Sequence, residues 1–170
     1  MIAGVPRSRP PSAEIRLRVA TASDRSQVLA WNSAPDVRAR SLDPRPIDPM
    51  DHVRWFAARL ADPLTRMWVI EVQRRAVGLV RIERSAPAAP GRISIVVEAS
   101  ARRGGLGRGA IRAACRVDGG PIVAEIRSDN LASVACFENA AFEDAGAAFD
   151  LDLGPPAPGV RRFVWRSTHV

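Results

Sequence analysis

The sequence Arg102-Arg103-Gly104-Gly105-Leu106-Gly107-Arg108-Gly109-Ala110 carries most of the information about the fold. An apolar, β-branched run at residues 93–97 precedes it, and a helical pattern follows at residues 110–115. A strand, then glycines, then a helix start places unpaired backbone N–H groups at the positive end of a helix, where phosphate binds well. The neighbouring arginines add positive charge, so we expect a ligand with more than one phosphate, such as a pyrophosphate.

Two other phosphate-binding motifs are also rich in glycine. A P-loop is excluded because no Gly-Lys-Ser or Gly-Lys-Thr follows the glycines. The dinucleotide-binding fingerprint is matched by Gly105, Gly107 and Ala110, with Glu125 downstream. However, residues 98–104 separate the strand from the fingerprint, and too little chain follows for a doubly wound sheet. The glycines could also form an ordinary surface turn before a helix, with no ligand-binding role.

A second motif lies downstream, after a predicted strand at residues 122–126. Asn130 is expected to cap a short helix on which Ser133 and Phe137 share one face. The pattern RxxGxG at residues 102–107, followed by NxxSxxxFxxxxF at residues 130–142, resembles the GCN5-related N-acetyltransferases (GNAT). The two motifs together, in this order and at this separation, are fairly specific.

The resemblance implies a fold and an activity. We expect a single α/β (α+β) domain over residues 14–170, preceded by a disordered tail at residues 1–13. Its mixed central sheet should have six to seven strands flanked by about four helices, and should be splayed between the fourth and fifth strands. The implied enzyme is an acetyl-CoA-dependent N-acetyltransferase. The implied acetyl-CoA-binding residues are Ile95, Val96, Val97, Arg102, Arg103, Gly104, Gly105, Leu106, Gly107, Arg108, Asn130, Ser133 and Phe137.

The composition is that of a single-domain enzyme, with 170 residues of which 46% are hydrophobic. No apolar run approaches the ~20 residues of a membrane span, and the N-terminus lacks an apolar signal region, so we expect a cytoplasmic protein without membrane partners. Cys115, Cys136 and the two histidines have no metal-ligand spacing, which predicts no metal and reduced thiols. The net charge of +7 comes from arginines spread along the chain, and aromatic residues make up 5%, so we expect no nucleic-acid partner.

Hydrophobic periodicity predicts the order of the elements. Strands are expected at residues 14–19, 66–72, 76–84, 93–97, 122–126, 147–153 and 160–165. Helices are expected from Ser23 or Asp24 to a stop before Pro35, over residues 51–60, from Ala110 onward, and after Asn130. Residues 41–49 are predicted to form a loop.

The first half of the chain narrows the resemblance. Its pattern resembles the nucleotide-sugar N-acetyltransferases of the pseudaminic-acid pathway, at Trp31, Pro35, Val37, Arg38, His52, Trp55, Phe56, Asp62-Pro63, Arg66, Trp68, Val77-Gly78 and Arg81. The implied acceptor is the 4-amino group of a UDP-linked deoxy-sugar, and the implied acceptor-binding residues are Trp31, Arg38, His52, Arg81 and Glu83. Asn32-Ser33 and Arg92 depart from that pattern, and the aromatic residues could equally form core. A homodimer is left open.

Amine acetylation needs a base for the amine proton and a means of releasing the thiolate. Glu125 is the first candidate base, because the resemblance places a general base on this strand; Glu83, Glu98 and His52 are alternatives. Phe137 stands where the family has a tyrosine, and the chain contains no tyrosine. The acid is therefore Ser133, Cys136 or water, or the thiolate leaves unassisted. Two other functions are kept open: a protein or peptide N-terminal acetyltransferase, and an acyl-CoA sensor without turnover.

Overall fold

The computed structural model describes residues 14–102, 104–146 and 153–166. The predicted tail at residues 1–13, Arg103 and nearly all of the strand predicted at residues 147–153 lie outside these ranges. Within the described ranges, no helix is both long enough and apolar enough to cross a membrane.

The described residues form one mixed sheet of seven strands, in the order β1-β2-β3-β4-β5-β7-β6. The strands are β1 (Ile15–Val19), β2 (Thr65–Val72), β3 (Arg75–Glu83), β4 (Gly91–Val97), β5 (Ile122–Arg127), β6 (Glu143–Asp144) and β7 (Val160–Trp165). Neighbouring strands are antiparallel except for β4 and β5, which pair in parallel. This confirms the predicted mixed sheet of six to seven strands.

The described chain also contains five α-helices, one more than predicted. They are α1 (Arg25–Ser33), α2 (Pro35–Arg40), α3 (Pro49–Ala61), α4 (Leu106–Asp118) and α5 (Leu131–Glu138). The additional helix is α2. Pro35 ends α1, as predicted, but it also starts α2, because a proline suits the first turn of a helix, where its missing N–H is not needed.

The sheet opens between β4 and β5, as expected from the resemblance. Within the described ranges, Gly91 lies opposite Ile122 and Arg92 opposite Val123, and the pairing stops there. The remainder of β4, from Ile93 to Val97, keeps its pairing with β3 on the other side. Beyond Arg92, therefore, β4 and β5 separate and leave a gap between them.

The two faces of the sheet carry different cores. Ile93 of β4 and Ala124 and Ile126 of β5 pack with α4 and α5, in a core that also contains Ile111 and Phe137. Val96, from the other face of β4, packs with Val28, Trp31 and Phe56 of α1 and α3. Side chains alternate along a strand. Ser94 and Glu125 therefore belong to the face covered by α1 and α3.

Candidate active site

One cavity of about 2450 Å³ connects the glycine-rich segment, the gap in the sheet and the face covered by α1 and α3. Its walls come from the start of α4, from residues 93–97 of β4, from one side of α5, and from α2 with the loop after it. His52 and Trp55 of α3 complete the wall on the opposite side. The cavity is long enough to be divided into a part near α4 and α5 and a part near α2 and α3, which we call the acceptor side.

The phosphate site predicted from the sequence falls at the start of α4. The helix begins at Leu106, earlier than predicted, with Gly105 before it at φ +76°. The first backbone bond within the helix runs from Gly109 N–H to Gly105 O (3.0 Å), so the N–H groups of Leu106, Gly107 and Arg108 precede it. All three residues line the cavity. Their amides and the positive end of the helix dipole suit a pyrophosphate.

The helix α5 packs closely beside this site. A Cβ on Gly107 would lie 3.1 Å from Sγ of Cys136, so a side chain at this glycine would press against α5. Asn130 caps α5 as predicted, since its side chain accepts a bond from the Ser133 N–H (3.3 Å). Ser133 and Cys136 are half-buried and line the cavity. Phe137 also touches the cavity, but it is 3% exposed and belongs to the core.

Arg102 lines the cavity, and its side chain has partners within the protein. Its Nε donates to the Val97 carbonyl (2.8 Å), and its NH1 pairs with Asp36 on α2. The side chain thus ties the segment before α4 to the acceptor side. The prediction that Arg102 binds acetyl-CoA stays a prediction. Ile95, Val96 and Val97, which were expected to bind acetyl-CoA, all line the cavity, and the Val97 carbonyl accepts the bond from Arg102.

Three of the predicted acceptor residues line the acceptor side. The guanidinium of Arg38 donates hydrogen bonds to backbone carbonyls. Its Nε donates to the Arg45 carbonyl (3.0 Å) and its NH2 to the Asp43 carbonyl, and these bonds order the loop after α2. The guanidinium of Arg81 lies 4.9 Å from the ring centre of Trp55, in a cation–π contact. Burial lowers the pKa of Arg81. His52 is the third of these residues.

Trp31 and Glu83 do not lie on the cavity wall. Trp31 is 5% exposed and packs in the core between the sheet and helices α1 and α3, because its position on α1 faces the sheet. Glu83 lies between Arg59 (Nε–Oε1 2.9 Å) and Arg81 (Nε–Oε2 2.8 Å). The prediction that these two residues bind the acceptor is therefore corrected. Trp31 belongs to the core, and Glu83 forms ion pairs with Arg59 and Arg81.

Glu125, the first candidate base, lies on the cavity wall, but both of its oxygens are engaged. Oε1 accepts from Arg162 (2.7 Å from NH2), and Oε2 lies 2.9 Å from Arg92 NH2. Arg162 is 6% exposed and also donates to the Gly154 carbonyl (2.6 Å). A carboxylate held in this way is placed to neutralise a buried arginine, and its geometry disfavours the role of base.

Glu98, another alternative, is similarly engaged. Its Oε2 lies 2.9 Å from Arg75 NH1, and its Oε1 accepts from the Ser100 hydroxyl (2.9 Å). His52 differs from all three glutamates. Its side chain is buried, with the residue 3% exposed, and neither ring nitrogen has a hydrogen-bond partner among the described residues. Burial, and secondarily the charge of Arg25, lower its pKa from 6.5.

The sequence model of the acetyltransferase (GNAT) domain matches residues 14–143. The chain belongs to this family. Membership confirms the predicted enzyme class, an N-acetyltransferase, and acetyl-CoA as its acetyl donor. No curated protein sequence matches the chain significantly.

Several solved acetyltransferases share the fold of this GNAT protein. Spermidine N-acetyltransferase from Vibrio cholerae, in complex with CoA and spermine, has a TM-score of 0.74 at 17% identity, covering 89% of this chain and 94% of that one. An aminoglycoside acetyltransferase in complex with coenzyme A and kanamycin has a TM-score of 0.72 at 17% identity, covering 91% and 95%. The ribosomal L7/L12 alpha-N-protein acetyltransferase in complex with coenzyme A has a TM-score of 0.72 at 17% identity, covering 89% and 93%.

These similarities concern the fold, and the narrower resemblance to nucleotide-sugar enzymes stays a prediction. Sequence reasoning missed two residues of the GNAT site. Asp36 binds Arg102 across the cavity, although 66 positions separate them, and no local pattern signals such a contact. Arg162 neutralises Glu125. The sequence pattern that could have indicated this pair is an arginine among the apolar residues of the last strand, β7, which pairs with β5 so that Arg162 lies opposite Glu125.

Proposed function

We propose that this GNAT protein transfers the acetyl group of acetyl-CoA to the primary amine of a small acceptor bound on the acceptor side of the cavity. The observation that carries the proposal is the continuity of the cavity. The backbone amides at the start of α4 and the side chains of His52 and Arg81 line the same space, which passes along the gap between β4 and β5. A donor held at α4 and an amine held near α3 can therefore meet at the gap.

The residues near α4 and α5 fit the donor. Acetyl-CoA supplies an acetyl thioester that an unprotonated amine can attack. The amides of Leu106, Gly107 and Arg108 are placed to bind its pyrophosphate, and the positive φ of Gly105 sets their direction. Gly107 has no side chain, and this keeps the narrow space between α4 and α5 open, since a Cβ there would lie 3.1 Å from the Cys136 Sγ.

Ser133 and Cys136 are proposed as hydrogen-bond donors to the departing sulfur. Both lie on the α5 wall of the cavity. Burial raises the pKa of the Cys136 thiol above 9.0. The thiol therefore keeps its proton at neutral pH and can donate a hydrogen bond to the sulfur. Proton transfer from Cys136 or from water, or unassisted departure of the thiolate, completes the step.

For the acceptor, we propose an anionic or neutral amine, and specifically a UDP-linked 4-amino sugar. Among the described residues that line the cavity, the carboxylates are each paired with an arginine: Asp36 with Arg102, Asp43 with Arg45, Asp51 with Arg54, and Glu125 with Arg92 and Arg162. A polycationic acceptor would compete with these arginines for the carboxylates. Of the six arginines that line the cavity, three are paired with carboxylates, namely Arg81, Arg102 and Arg127. Arg38, Arg40 and Arg108 form no ion pair within the described chain, and their charges attract anions.

A substrate panel tests the proposal. With acetyl-CoA as donor, kcat/KM should be highest for the UDP-linked 4-amino sugar and at least about tenfold lower for spermidine and kanamycin, since a missing ion pair costs about 1.4 kcal/mol or more. Peptides with free N-termini belong in the same panel. Preferential turnover of peptides would replace the acceptor with a protein N-terminus, and preferential turnover of spermidine would refute the charge argument.

Binding of coenzyme A without any turnover gives a further outcome. Tight binding of acetyl-CoA, measured by calorimetry, together with no acetylation of any amine in the panel, would make this protein an acyl-CoA sensor. The proposed transferase function would then be wrong, although the donor site would stand.

A further inference from the structure

We propose that His52 is the general base that accepts the proton of the acceptor amine. The proposal rests on the acetyl transfer proposed above and adds to it a catalytic residue on the acceptor side. Three features of His52 carry it: its unpartnered ring nitrogens, the packing of its ring on the cavity wall, and the charges around it.

The first feature is the lack of a partner. The residue is 3% exposed and lines the cavity, yet Nδ1 and Nε2 have no hydrogen-bond partner in the described part of the chain. A buried polar group without a partner costs about 1–3 kcal/mol. A group that lines a ligand cavity recovers this energy when the ligand supplies the partner. An amine is such a partner, because it donates N–H to a neutral imidazole nitrogen.

The second feature is the fixed position of the ring. His52 lies in the first turn of α3, where its backbone N–H donates to the Asp48 carbonyl (3.0 Å). Its ring stacks on Phe56 at 5.8 Å and 17°, and lies 5.2 Å from Trp55 at 43°. Two aromatic neighbours and a helical backbone fix the position of the imidazole on the cavity wall. Both ring nitrogens are buried in this position, so proton transfer requires a rotation of the side chain that turns one nitrogen toward the amine.

The third feature is the charge around the ring. Arg25 on α1 acts on the ring, and Arg81 on β3 lies over the neighbouring Trp55. Asp48 caps α3 and Asp51 lies in its first turn, just before His52. Burial and Arg25 both favour the neutral imidazole, and so does the positive end of α3. At pH 7 the ring therefore has a free lone pair. Glu125 differs, because two arginines already bind its oxygens.

The proposed step balances. The amine nitrogen forms a bond to the acetyl carbon while the carbon–sulfur bond breaks, and the electron pair of that bond leaves with sulfur. The proton released by nitrogen goes to a ring nitrogen of His52. His52 then releases this proton to water or to the thiolate, and is neutral again for the next turnover.

Two variants of the full-length protein test the role. His52→Gln removes the titrating base, and His52→Phe keeps an aromatic ring against Phe56 and Trp55 without any proton acceptor. Both should lower kcat by about 10²- to 10⁴-fold, with coenzyme A affinity unchanged in calorimetry. Glu125→Gln is the matched comparison, and its loss of kcat should be smaller than about tenfold.

A pH profile and NMR separate a base from a structural residue. In the wild type, log kcat should show a rise with a midpoint below 6.5, because the base works only when neutral, in addition to any rise at higher pH from deprotonation of the amine itself. In His52→Phe the rise below pH 6.5 should disappear, and the one from the amine should remain. With ¹⁵N-labelled histidine, the His52 ring signals, assigned by their loss in His52→Gln, should titrate at the same midpoint.

Four outcomes decide the matter. Retention of kcat within about tenfold in both His52 variants would overturn the proposal, as would a His52 ring that NMR shows protonated at pH 7. If His52→Gln fails to fold, the test depends on His52→Phe, which keeps an aromatic ring in the same packing. That variant must still lose activity for the proposal to stand. If the wild type acetylates no amine of the panel, the transferase function fails and the base fails with it. If the wild type is active and the His52 variants are equally active, only the base is wrong.

Discussion

The two glycines at the ends of α4 provide a matched test of the donor site. Gly105 precedes the helix and Gly119 follows it, and both have φ +76°. At Gly119 a Cβ would meet no atom within 4 Å, and at Gly105 it would meet only the end of the Arg108 side chain, at 3.5 Å. Gly105→Val and Gly119→Val thus differ in location but share the same backbone strain. We expect both to lose stability and only Gly105→Val to lose coenzyme A.

The magnitudes follow from the backbone. A residue with a Cβ in the left-handed region costs about 1–2 kcal/mol, and a β-branched residue is a clear outlier there. In a chain of this size, each kcal/mol corresponds to about 2–4 °C in Tm, so both variants should melt about 2–8 °C lower. If Gly105→Val leaves the left-handed region, the amides after it turn away. Removing one hydrogen bond between an amide and a charged phosphate costs about 1.5–3 kcal/mol, or about 10- to 150-fold in Kd.

The assay is calorimetry of coenzyme A binding at a temperature where both variants are folded, with Tm measured alongside. The expected result is a rise in Kd of at least about tenfold for Gly105→Val and of less than about threefold for Gly119→Val. Undiminished affinity in Gly105→Val would refute the placement of the pyrophosphate at the start of α4. Equal losses in both variants would show that affinity follows the general stability of α4 instead of the direction of its first amides.

Two further substitutions test residues whose predicted roles the structure alters. Glu125→Gln leaves the buried Arg162 without its carboxylate. The free energy of unfolding, measured by urea denaturation, should therefore fall by about 3 kcal/mol. Unchanged stability together with a loss of kcat above about 100-fold would restore Glu125 as the base. Phe137→Tyr should cost about 1–3 kcal/mol, since it adds a hydroxyl to a ring that is 3% exposed and packs edge-on against Phe142 at 5.0 Å. A new alkaline fall of kcat near pH ~10 would show instead that the hydroxyl reaches the sulfur.

The donor side of the site could be predicted from the sequence because its determinants are local. Gly105 and Gly107 act through the backbone of their own turn, and Asn130 caps a helix that begins at the next residue. The order strand, glycines, helix is visible in a short window, and it also identifies the gap beside β4. Arg102 was the exception on this side, because its partner Asp36 lies far away in sequence.

The acceptor side could not be predicted in this way, because its determinants are long-range. Trp31 and Trp55 are both tryptophans on amphipathic helices, yet the first is core and the second lines the cavity. Helical spacing gives the face of each residue but not what covers it. Whether a charged residue is free depends on partners elsewhere in the chain: Glu125 is bound by Arg162 from a closing strand, and Glu83 by Arg59 from α3.

The gap in the sheet explains how one family can keep its donor and vary its acceptor. Ile95 of β4 packs toward α4, whereas Val96 packs toward α1 and α3, so one strand borders both parts of the cavity. In the proposed site, backbone amides hold the donor, and such contacts tolerate changes of side chain. The proposed acceptor side is lined by side chains of α2, α3 and β3, such as His52 and Arg81, which can change without moving α4. Substitutions on the acceptor side should therefore alter KM for the amine, or kcat, while leaving coenzyme A affinity intact, and this division allows the proposed acceptor and base to be tested separately from the donor site.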